Sequence, residues 1–395
     1  MARVIVHIDL NAFFVRCEEI KNPALENKPV AVGREGRAGI VSTCSYEARK
    51  FGVCSGMPTF KAKSLCPQLI LMPGDYRFYS VMSKTFFKFI RRYTKFVEVA
   101  SVDECFADFT EAIKGQKDVV GFFRQMQLDL YKETQLKCSI GVSITKFLAK
   151  MASDFKKPMG LTIIRKSEIK KYLFPLKIEA MYGIGKKTAP RLRSLGINTI
   201  GDLYDRIVKQ EKQTIELLGK SEGVIRDWLE GRGSDEIELE RDDPKSIGNS
   251  TTLPYDTDDY LVIDKYLVDL AQEVSFRAKK EDKLGYTVQI VVKDQGFKSH
   301  NKSHTLENPF NDWNTIYQQA KQLFQTNFNS LTVRLVGITL QNLIDLKEMA
   351  VQMSLFDYEK YEEESTTKLL INEINRSLKK PLLKRASEVD KNEHR

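Results

Sequence analysis

Two adjacent acidic residues, Asp103 and Glu104, interrupt an otherwise apolar and aromatic stretch, SVDECF at positions 101–106. Successive side chains of a β-strand point to opposite faces, so neighbouring carboxylates within a regular strand would diverge. The flanking stretches, FVEVAS (96–101) and CFADF (105–109), alternate as strands do. They therefore predict a β-hairpin whose turn contains the acidic pair and lets both carboxylates face one site.

A third acidic residue follows the first predicted strand. The stretch VIVHIDL (4–10) predicts a buried strand that ends at Asp9. Converging carboxylates repel each other unless a cation lies between them, and carboxylate ligands suit Mg²⁺ or Mn²⁺ better than zinc. Paired ions of this kind serve phosphoryl transfer. Asp9, Asp103 and Glu104 are therefore candidate ligands for two Mg²⁺ ions, with Mn²⁺ as the alternative. On these residues alone, a structural role is favoured, with Asp9 capping a helix and Glu104 solvated. The phosphate-binding residues described below favour the metal site instead.

The charge of the chain favours a polyanionic partner. The 395 residues carry a net charge of +9, and residues 1–232 hold 40 Lys and Arg against 25 Asp and Glu. Nucleic acid is the simplest such partner, although a basic surface also serves solubility. An acidic stretch at 233–243 interrupts this pattern and predicts a tether.

Composition excludes several other classes. The six cysteines form no C-x-x-C pair and the four histidines are scattered, which predicts free thiols and no zinc site. No apolar run reaches the roughly 18 residues of a membrane span, and the N-terminus lacks a cleavage site for a signal peptide. We therefore expect a soluble, cytoplasmic protein with no membrane partner.

Basic residues beside predicted helix starts and turns suit phosphate binding. In YEARKFG, Tyr46 and Arg49 share the first turn of a predicted helix, where the helix dipole also favours anions. KKPMG places Lys157 just before a Pro/Gly break. GIGKK (183–187) between helical stretches predicts a helix–hairpin–helix, whose glycines let backbone N–H groups approach a DNA phosphate.

The motifs HIDLNAFF, STCSYEARKFGV, SVDECF, GVSITKFLAK, KKPMG and YGIGKKTAPRLRSLGI, in this order, resemble those of the Y-family translesion DNA polymerases. The resemblance covers nearly all of residues 1–345 and points to the polymerase IV branch of bacteria. Asn11 and Thr145-Lys146 are variants that lean toward the UmuC-like polymerase V branch.

The resemblance implies an α+β, multidomain fold with the right-hand arrangement of polymerases. This means a ferredoxin-like palm, small fingers, a helical thumb with the helix–hairpin–helix, and an α+β little finger. The implied boundaries are palm 1–10 and 75–165, fingers 11–74, thumb 166–232, linker 233–243, little finger 244–345 and tail 346–395.

The resemblance also implies residue roles. Asp9, Asp103 and Glu104 become the catalytic metal ligands, joined by the Leu10 carbonyl. Either Asp103 or Glu104 would bridge both ions, and Asp103 is the preferred candidate. Phe14 falls at the steric gate, where an aromatic ring would clash with a ribose 2′-OH. The implied nucleotide-binding residues are Phe13, Phe14, Ser42, Thr43, Tyr46, Arg49 and Lys157. The implied DNA-binding residues are Gly183, Gly185, Lys186, Lys187, Lys245, Lys293 and Lys298.

A short motif in the tail, QMSLF at 352–356, resembles the pentapeptide by which bacterial polymerases bind the sliding clamp. The implied clamp contacts are Gln352, Ser354, Leu355 and Phe356.

The expected activity is template-directed, error-prone translesion DNA synthesis by a monomer associated with the nucleoid. A primer 3′-OH would attack a dNTP, and pyrophosphate would leave. Two alternatives stay open. The chain could be a catalytically inactive DNA-binding accessory protein of the same fold, or a palm-type nucleotidyl cyclase.

Overall fold

The computed structural model describes residues 3–240 and 242–348. The predicted clamp contacts Gln352, Ser354, Leu355 and Phe356 lie outside the described residues. Contacts between Cα atoms divide the chain into two compact units, residues 1–242 and 243–395. Among the described residues, none of the helices has both the length and the apolar character of a membrane span.

The first unit contains eight strands and eleven α-helices within its described residues. The strands are β1 (Ile5–Leu10), β2 (Val30–Gly33), β3 (Val41–Cys44), β4 (Ile70–Met72), β5 (Val97–Val99), β6 (Glu104–Asp108), β7 (Cys138–Ser143) and β8 (Leu161–Ile163). The helices are α1 (Phe13–Lys21), α2 (Tyr46–Lys50), α3 (Thr59–Leu65), α4 (Tyr76–Ile90), α5 (Val119–Thr134), α6 (Lys146–Asp154), α7 (Ile169–Leu173), α8 (Thr188–Ser194), α9 (Ile200–Val208), α10 (Lys212–Leu218) and α11 (Ser221–Leu229).

A five-stranded sheet of order β5-β6-β1-β7-β8 forms the centre of the predicted palm. The apolar strand β1 lies in its middle, antiparallel to both β6 and β7. Burial on both faces explains the nearly continuous apolar run of this strand. The aromatic residues of YRFYSVMSKTFFKFIRRYTK (76–95) recur at helical spacing, which predicts a long amphipathic helix with its aromatic face in the core. Helix α4 forms there, and its Phe86, Phe89 and Ile90 are buried in the core of this sheet.

The predicted fingers contain a three-stranded sheet of order β3-β2-β4 and a small core of their own. In the sequence, EARKFGV (47–53) has a helical pattern that resumes in MPTFKAKSLCPQL after Pro58, which predicts a helix continuing through this segment. This prediction was wrong. The chain instead forms two short helices, α2 and α3, separated by turns at Gly52 (φ 85°) and Gly56 (φ 80°). Backbone with positive φ cannot continue a right-handed helix.

The predicted thumb consists of α7–α11 around a core that also includes Phe147, Leu148 and Met151 of α6. The described part of the acidic tether, residues 233–240, forms neither helix nor strand. It lies against the start of α6, where the Lys146 N–H donates to the Ser234 carbonyl (2.9 Å) and Lys146 Nζ lies 3.4 Å from Glu238 Oε1.

Within its described residues, 243–348, the second unit combines one sheet with two α-helices. Its strands are β9 (Ser246–Thr257), β10 (Lys283–Asp294), β11 (Ser299–Phe310) and β12 (Val333–Asp345), and its helices are α12 (Tyr260–Lys280) and α13 (Trp313–Asn327). The sheet has the order β11-β10-β12-β9. The polar sequence around His300 and His304 is typical of a loop, but the structure shows that it forms strand β11. That strand has few apolar residues because it lies at a sheet edge and is mostly exposed.

Gly141 of β7 provides a sharp test of how α6 packs on the central sheet. A Cβ atom at this position would lie 2.0 Å from the Ala149 carbonyl oxygen and 2.3 Å from the Ser153 nitrogen. We therefore expect Gly141→Ala to lower the free energy of unfolding by about 3 kcal/mol, because backbone of α6 must move away. Denaturant unfolding followed by Trp228 fluorescence, in a Trp313→Phe background, reports on the first unit.

Gly223→Ala is the matched control for this measurement. Gly223 lies in the same unit, in helix α11, and a Cβ atom there would meet nothing within 4 Å. It should raise stability by about 0.5–1 kcal/mol through helix propensity. Equal stability of the wild type and Gly141→Ala would contradict the close packing of α6.

Candidate active site

The pairing of β1 with β6 brings the three predicted carboxylates to one end of the central sheet. Asp9 lies directly opposite Glu104 in the antiparallel register. The Leu10 N–H donates to the Asp103 carbonyl (2.9 Å), which holds the hairpin turn beside the end of β1. The predicted hairpin therefore forms, with Asp103 in its turn. Glu104 had been expected in the turn as well, but it is the first residue of β6.

Two lysines that follow β7 neutralise these carboxylates. Lys157 Nζ lies 2.8 Å from Asp9 Oδ2 and 2.8 Å from Asp154 Oδ1. Lys150 of α6 forms an ion pair with Glu104 and lies 3.7 Å from Asp9 Oδ2. Lys157 was predicted as a site residue, whereas Lys150 was not. Its position in α6 becomes informative only once that helix is known to pack against β1 and β7.

His7 is a second residue that contacts Glu104 and was not predicted. An isolated histidine in a strand usually has a structural role, so nothing in the sequence indicated that His7 belongs to the site. Its side chain is fully buried in β1, where Nδ1 forms a hydrogen bond with Ser153 Oγ (2.9 Å). Nε2 lies 3.3 Å from Glu104 Oε2. Burial lowers the pKa of His7, which favours the neutral ring at neutral pH.

The two neighbouring carboxylates have different environments. Contacts with His7 and Lys150 lower the pKa of Glu104 to about 2, so this group is ionised throughout the neutral range. Burial raises the pKa of Asp103, with the negative charges of Asp9 and Glu104 adding to the effect. Ser101 Oγ donates to Asp103 Oδ1 (2.5 Å) and partly offsets this.

These residues fit a divalent cation. Ligand atoms of His7, Asp9 and Glu104 lie within 4.8 Å of one another. Asp103 lies outside that group but borders the same cavity as Asp9. A raised pKa of one carboxyl among several is the result expected where negative charges converge without a bound cation. Oxygen donors of this kind are the ligands that Mg²⁺ and Mn²⁺ prefer.

A cavity of about 350 Å³ brings together nearly all of the residues predicted to bind metal or nucleotide. It is open to solvent and lies where β1, α1, the fingers sheet and the turn of KKPMG meet. The predicted residues that line it are Asp9, Leu10, Phe13, Phe14, Ser42, Thr43, Tyr46, Arg49, Asp103 and Lys157. Three lining residues had not been predicted, Ala12, Ser55 and Val102.

Phe13 and Phe14 occupy different environments. Phe13 is 2% exposed and packs in the core beneath the cavity. Phe14 is half-buried, and its ring stacks on Tyr79 at a centroid distance of 4.4 Å and meets the edge of Tyr76. Packing against two tyrosines fixes the orientation of the Phe14 ring at the wall of the cavity.

The start of α2 presents a cation and a hydroxyl to the same cavity. Ser45 caps this helix by accepting a hydrogen bond from the Ala48 N–H (3.1 Å), and it also fixes the neighbouring strand β2 through the Val30 N–H (3.0 Å). The Arg49 guanidinium lies 4.6 Å from the centre of the Tyr46 ring. This stacking orients both side chains on one face of the first turn.

The predicted DNA-binding residues are distributed over both units. Gly183 has a φ of 90°, and Gly185, Lys186 and Lys187 that follow it are exposed at the start of α8. In the second unit, Lys245 immediately precedes β9 and Lys298 precedes β11, both exposed. The remaining one, Lys293, is partly buried on β10.

Three family models match most of the chain. The impB/mucB/samB family matches residues 8–154, the HHH motif of the IMS family matches 166–197, and the impB/mucB/samB C-terminal domain matches 244–355. The first match contains all of the carboxylates of the cavity, and the second contains GIGKK.

Similar proteins extend over almost the full chain. DNA polymerase IV of Oceanobacillus iheyensis is 38% identical over 99% of this chain and 93% of its own. DNA polymerase IV 1 of Bacillus subtilis is 36% identical over 99% and 94%. Among solved structures, a Y-family DNA polymerase chimera of Dbh and Dpo4 is similar with a TM-score of 0.75 at 28% identity, covering 87% of this chain and 99% of its own. An insertion ternary complex of Dbh DNA polymerase has a TM-score of 0.60 at 27% identity, with the same coverage.

Proposed function

The chain belongs to the impB/mucB/samB family of Y-family DNA polymerases, and from this premise we propose that it carries out template-directed translesion DNA synthesis. The observation that carries the proposal is that the carboxylates of Asp9 and Asp103 line the same cavity as the side chains of Tyr46, Arg49 and Lys157. The similar proteins are named as DNA polymerases, and the similarity covers nearly their full length. None of them favours the accessory protein or the nucleotidyl cyclase considered above.

In this proposal, the carboxylates of Asp9, Asp103 and Glu104, together with the Leu10 carbonyl, hold two Mg²⁺ ions, and Mn²⁺ can replace them. When bound, such ions would lower the pKa of the primer 3′-OH, which attacks the α-phosphorus of a dNTP, and would neutralise the charge of the leaving pyrophosphate. The low pKa of Glu104 keeps this carboxylate ready to bind a cation without first losing a proton.

The other residues of the cavity bind the incoming nucleotide. Tyr46, Arg49 and Lys157 donate to the triphosphate, which carries several negative charges and therefore pairs well with two cations and a hydroxyl. Ser42 and Thr43 approach its base and phosphates from the fingers sheet. The ring of Phe14 stands against the sugar and excludes a 2′-OH by contact.

Primer-template DNA is proposed to bind along both units. Exposed backbone N–H groups and lysines of GIGKK face a phosphate of the duplex, as expected for a helix–hairpin–helix. Lys245, Lys293 and Lys298 supply further phosphate contacts from the second unit. The natural template is chromosomal DNA, which places the enzyme at the nucleoid.

The metal ligands are tested by primer extension with Mg²⁺ on undamaged and abasic templates. Asp103→Ala and Glu104→Ala should each reduce kcat by about 10³-fold or more, since ion binding contributes several kcal/mol to stabilising the transition state. Glu111→Ala is the matched control, because Glu111 is an exposed acid that follows the same hairpin. Extension that survives both substitutions would exclude this ligand assignment.

The steric gate is tested by comparing kcat/KM for dNTP and rNTP. Phe14→Ala should reduce the preference for dNTP by about a hundredfold, because the lost ring leaves room for the 2′-OH. Phe14→Tyr keeps the aromatic ring and should keep the discrimination. Unchanged discrimination in Phe14→Ala would show that another side chain excludes the ribose.

The segment QMSLF is proposed to bind the sliding clamp, with Leu355 and Phe356 entering an apolar pocket and Gln352 and Ser354 at its edge. Deleting residues 352–356 should abolish stimulation by the clamp and leave synthesis without the clamp unchanged, since the motif follows the end of β12 at Asp345 in the sequence. Primer extension with and without loaded clamp measures both. Ser365→Ala, further along the tail, is the control, and an equal loss in both assays would contradict the proposal.

A further inference from the structure

We propose that Asn11 is a positioning residue for Lys157, and that its side-chain amide fixes the turn from which Lys157 reaches the nucleotide. The inference rests on the function proposed above, in which Lys157 binds the triphosphate. Asn11 itself does not line the cavity, so its effect must pass through the backbone of residues 157–160.

Asn11 lies in the short turn between the catalytic strand β1 and helix α1. Its backbone N–H donates to the Lys137 carbonyl (2.7 Å), and the next residue, Ala12, has a φ of 47°. The side chain is only 4% exposed and points away from the cavity toward β7. A buried amide is retained at such a position only where its polar atoms find partners.

The amide of Asn11 holds the turn from one side. Its Oδ1 accepts a hydrogen bond from the Met159 N–H (2.7 Å), and its Nδ2 donates to Ser139 Oγ (2.9 Å). Ser139 is fully buried on β7, and its hydroxyl oxygen also accepts from the Gly160 N–H (3.2 Å). The two consecutive N–H groups of the turn are therefore bound by one linked pair of side chains.

Residues of helix α5 and a backbone N–H of strand β7 bind the two carbonyl groups of the same turn. Arg124 donates to the Met159 carbonyl (2.8 Å), while Gln127 Nε2 (3.1 Å) and the Ile140 N–H (2.8 Å) donate to the Gly160 carbonyl. All four backbone polar groups of Met159 and Gly160 are thus engaged. Met159 needs this support, because its φ of 56° is a left-handed conformation that residues with side chains rarely adopt.

This anchoring determines where the Lys157 side chain begins. Lys157 lies two residues before Met159, and its ammonium extends to Asp9 Oδ2 at the cavity. A lysine has a long and flexible side chain, so an ammonium held at a defined point requires a fixed backbone. Loss of the Asn11 amide frees the Met159 N–H and lets the start of this side chain shift.

The test is a double-mutant cycle on single-nucleotide incorporation by the full chain. Asn11→Ala should raise KM for dNTP about tenfold while kcat changes much less, because small displacements of a binding group cost about this much or more. Lys157→Ala should raise KM as well. In the double variant, Asn11→Ala should add no further increase, since the residue it positions is gone.

Two further variants keep the test decisive. Asn11→Asp retains the oxygen acceptor for the Met159 N–H and should restore KM to within about threefold of wild type. Ser139→Ala removes the acceptor of both the Gly160 N–H and Asn11 Nδ2, but leaves the Met159 N–H bonded to Asn11 Oδ1. It should therefore raise KM by less than Asn11→Ala does, and it provides a second test if Asn11→Ala does not fold. Thermal unfolding of each variant identifies loss of fold.

The outcomes separate this inference from the proposed function. Independent, multiplicative effects of Asn11→Ala and Lys157→Ala on KM would overturn the positioning role. Unchanged KM in Asn11→Ala, together with a raised KM in Lys157→Ala, would also overturn it and leave the function of Lys157 intact. Unchanged KM in Lys157→Ala would instead overturn the proposed triphosphate contact.

Discussion

The antiparallel register of β1 and β6 places Asp9 directly opposite Glu104, and the rest of the site compensates for this juxtaposition. Like charges on directly opposite strand positions destabilise a sheet by roughly 0.2–1 kcal/mol, and burial makes their repulsion larger. The ammonium groups of Lys150 and Lys157 lie against these carboxylates and oppose that repulsion. The sheet can therefore form with its acidic residues converging at one end.

Close packing of α6 on the sheet makes this compensation possible. Gly141 has no side chain, so the backbone of α6 approaches β7 where any larger residue would collide. The same approach brings Lys150 to Glu104 and Ser153 to His7. Gly141 thereby allows Lys150 to reach Glu104, although it is not itself part of the site. Replacing it should lower the stability of the fold and weaken this ion pair.

The sequence was informative where a local pattern determines structure. Alternation around Asp103 and Glu104 predicted the hairpin, and the aromatic spacing of α4 predicted its buried face. It failed where contacts between distant segments decide. Lys150 and Asn11 acquire their roles only when α6 and residues 157–160 pack beside β1, and β11 is polar because its edge position leaves it exposed. Contacts of this kind produce no periodic pattern in the amino-acid sequence.

Lys157 links the metal-binding and nucleotide-binding halves of the cavity. Burial alone would lower the pKa of its ammonium, but the charges of Asp9 and Asp154 outweigh that cost and raise it. The group therefore stays charged in the neutral range, and its positive charge can neutralise either a carboxylate of the chain or a phosphate of a bound nucleotide. Such an exchange requires no large motion if the backbone of residues 157–160 is fixed. A rigid turn with a long, charged side chain combines a defined starting point with adjustable reach, and the hydrogen bonds of Asn11, Ser139, Arg124 and Gln127 supply that rigidity.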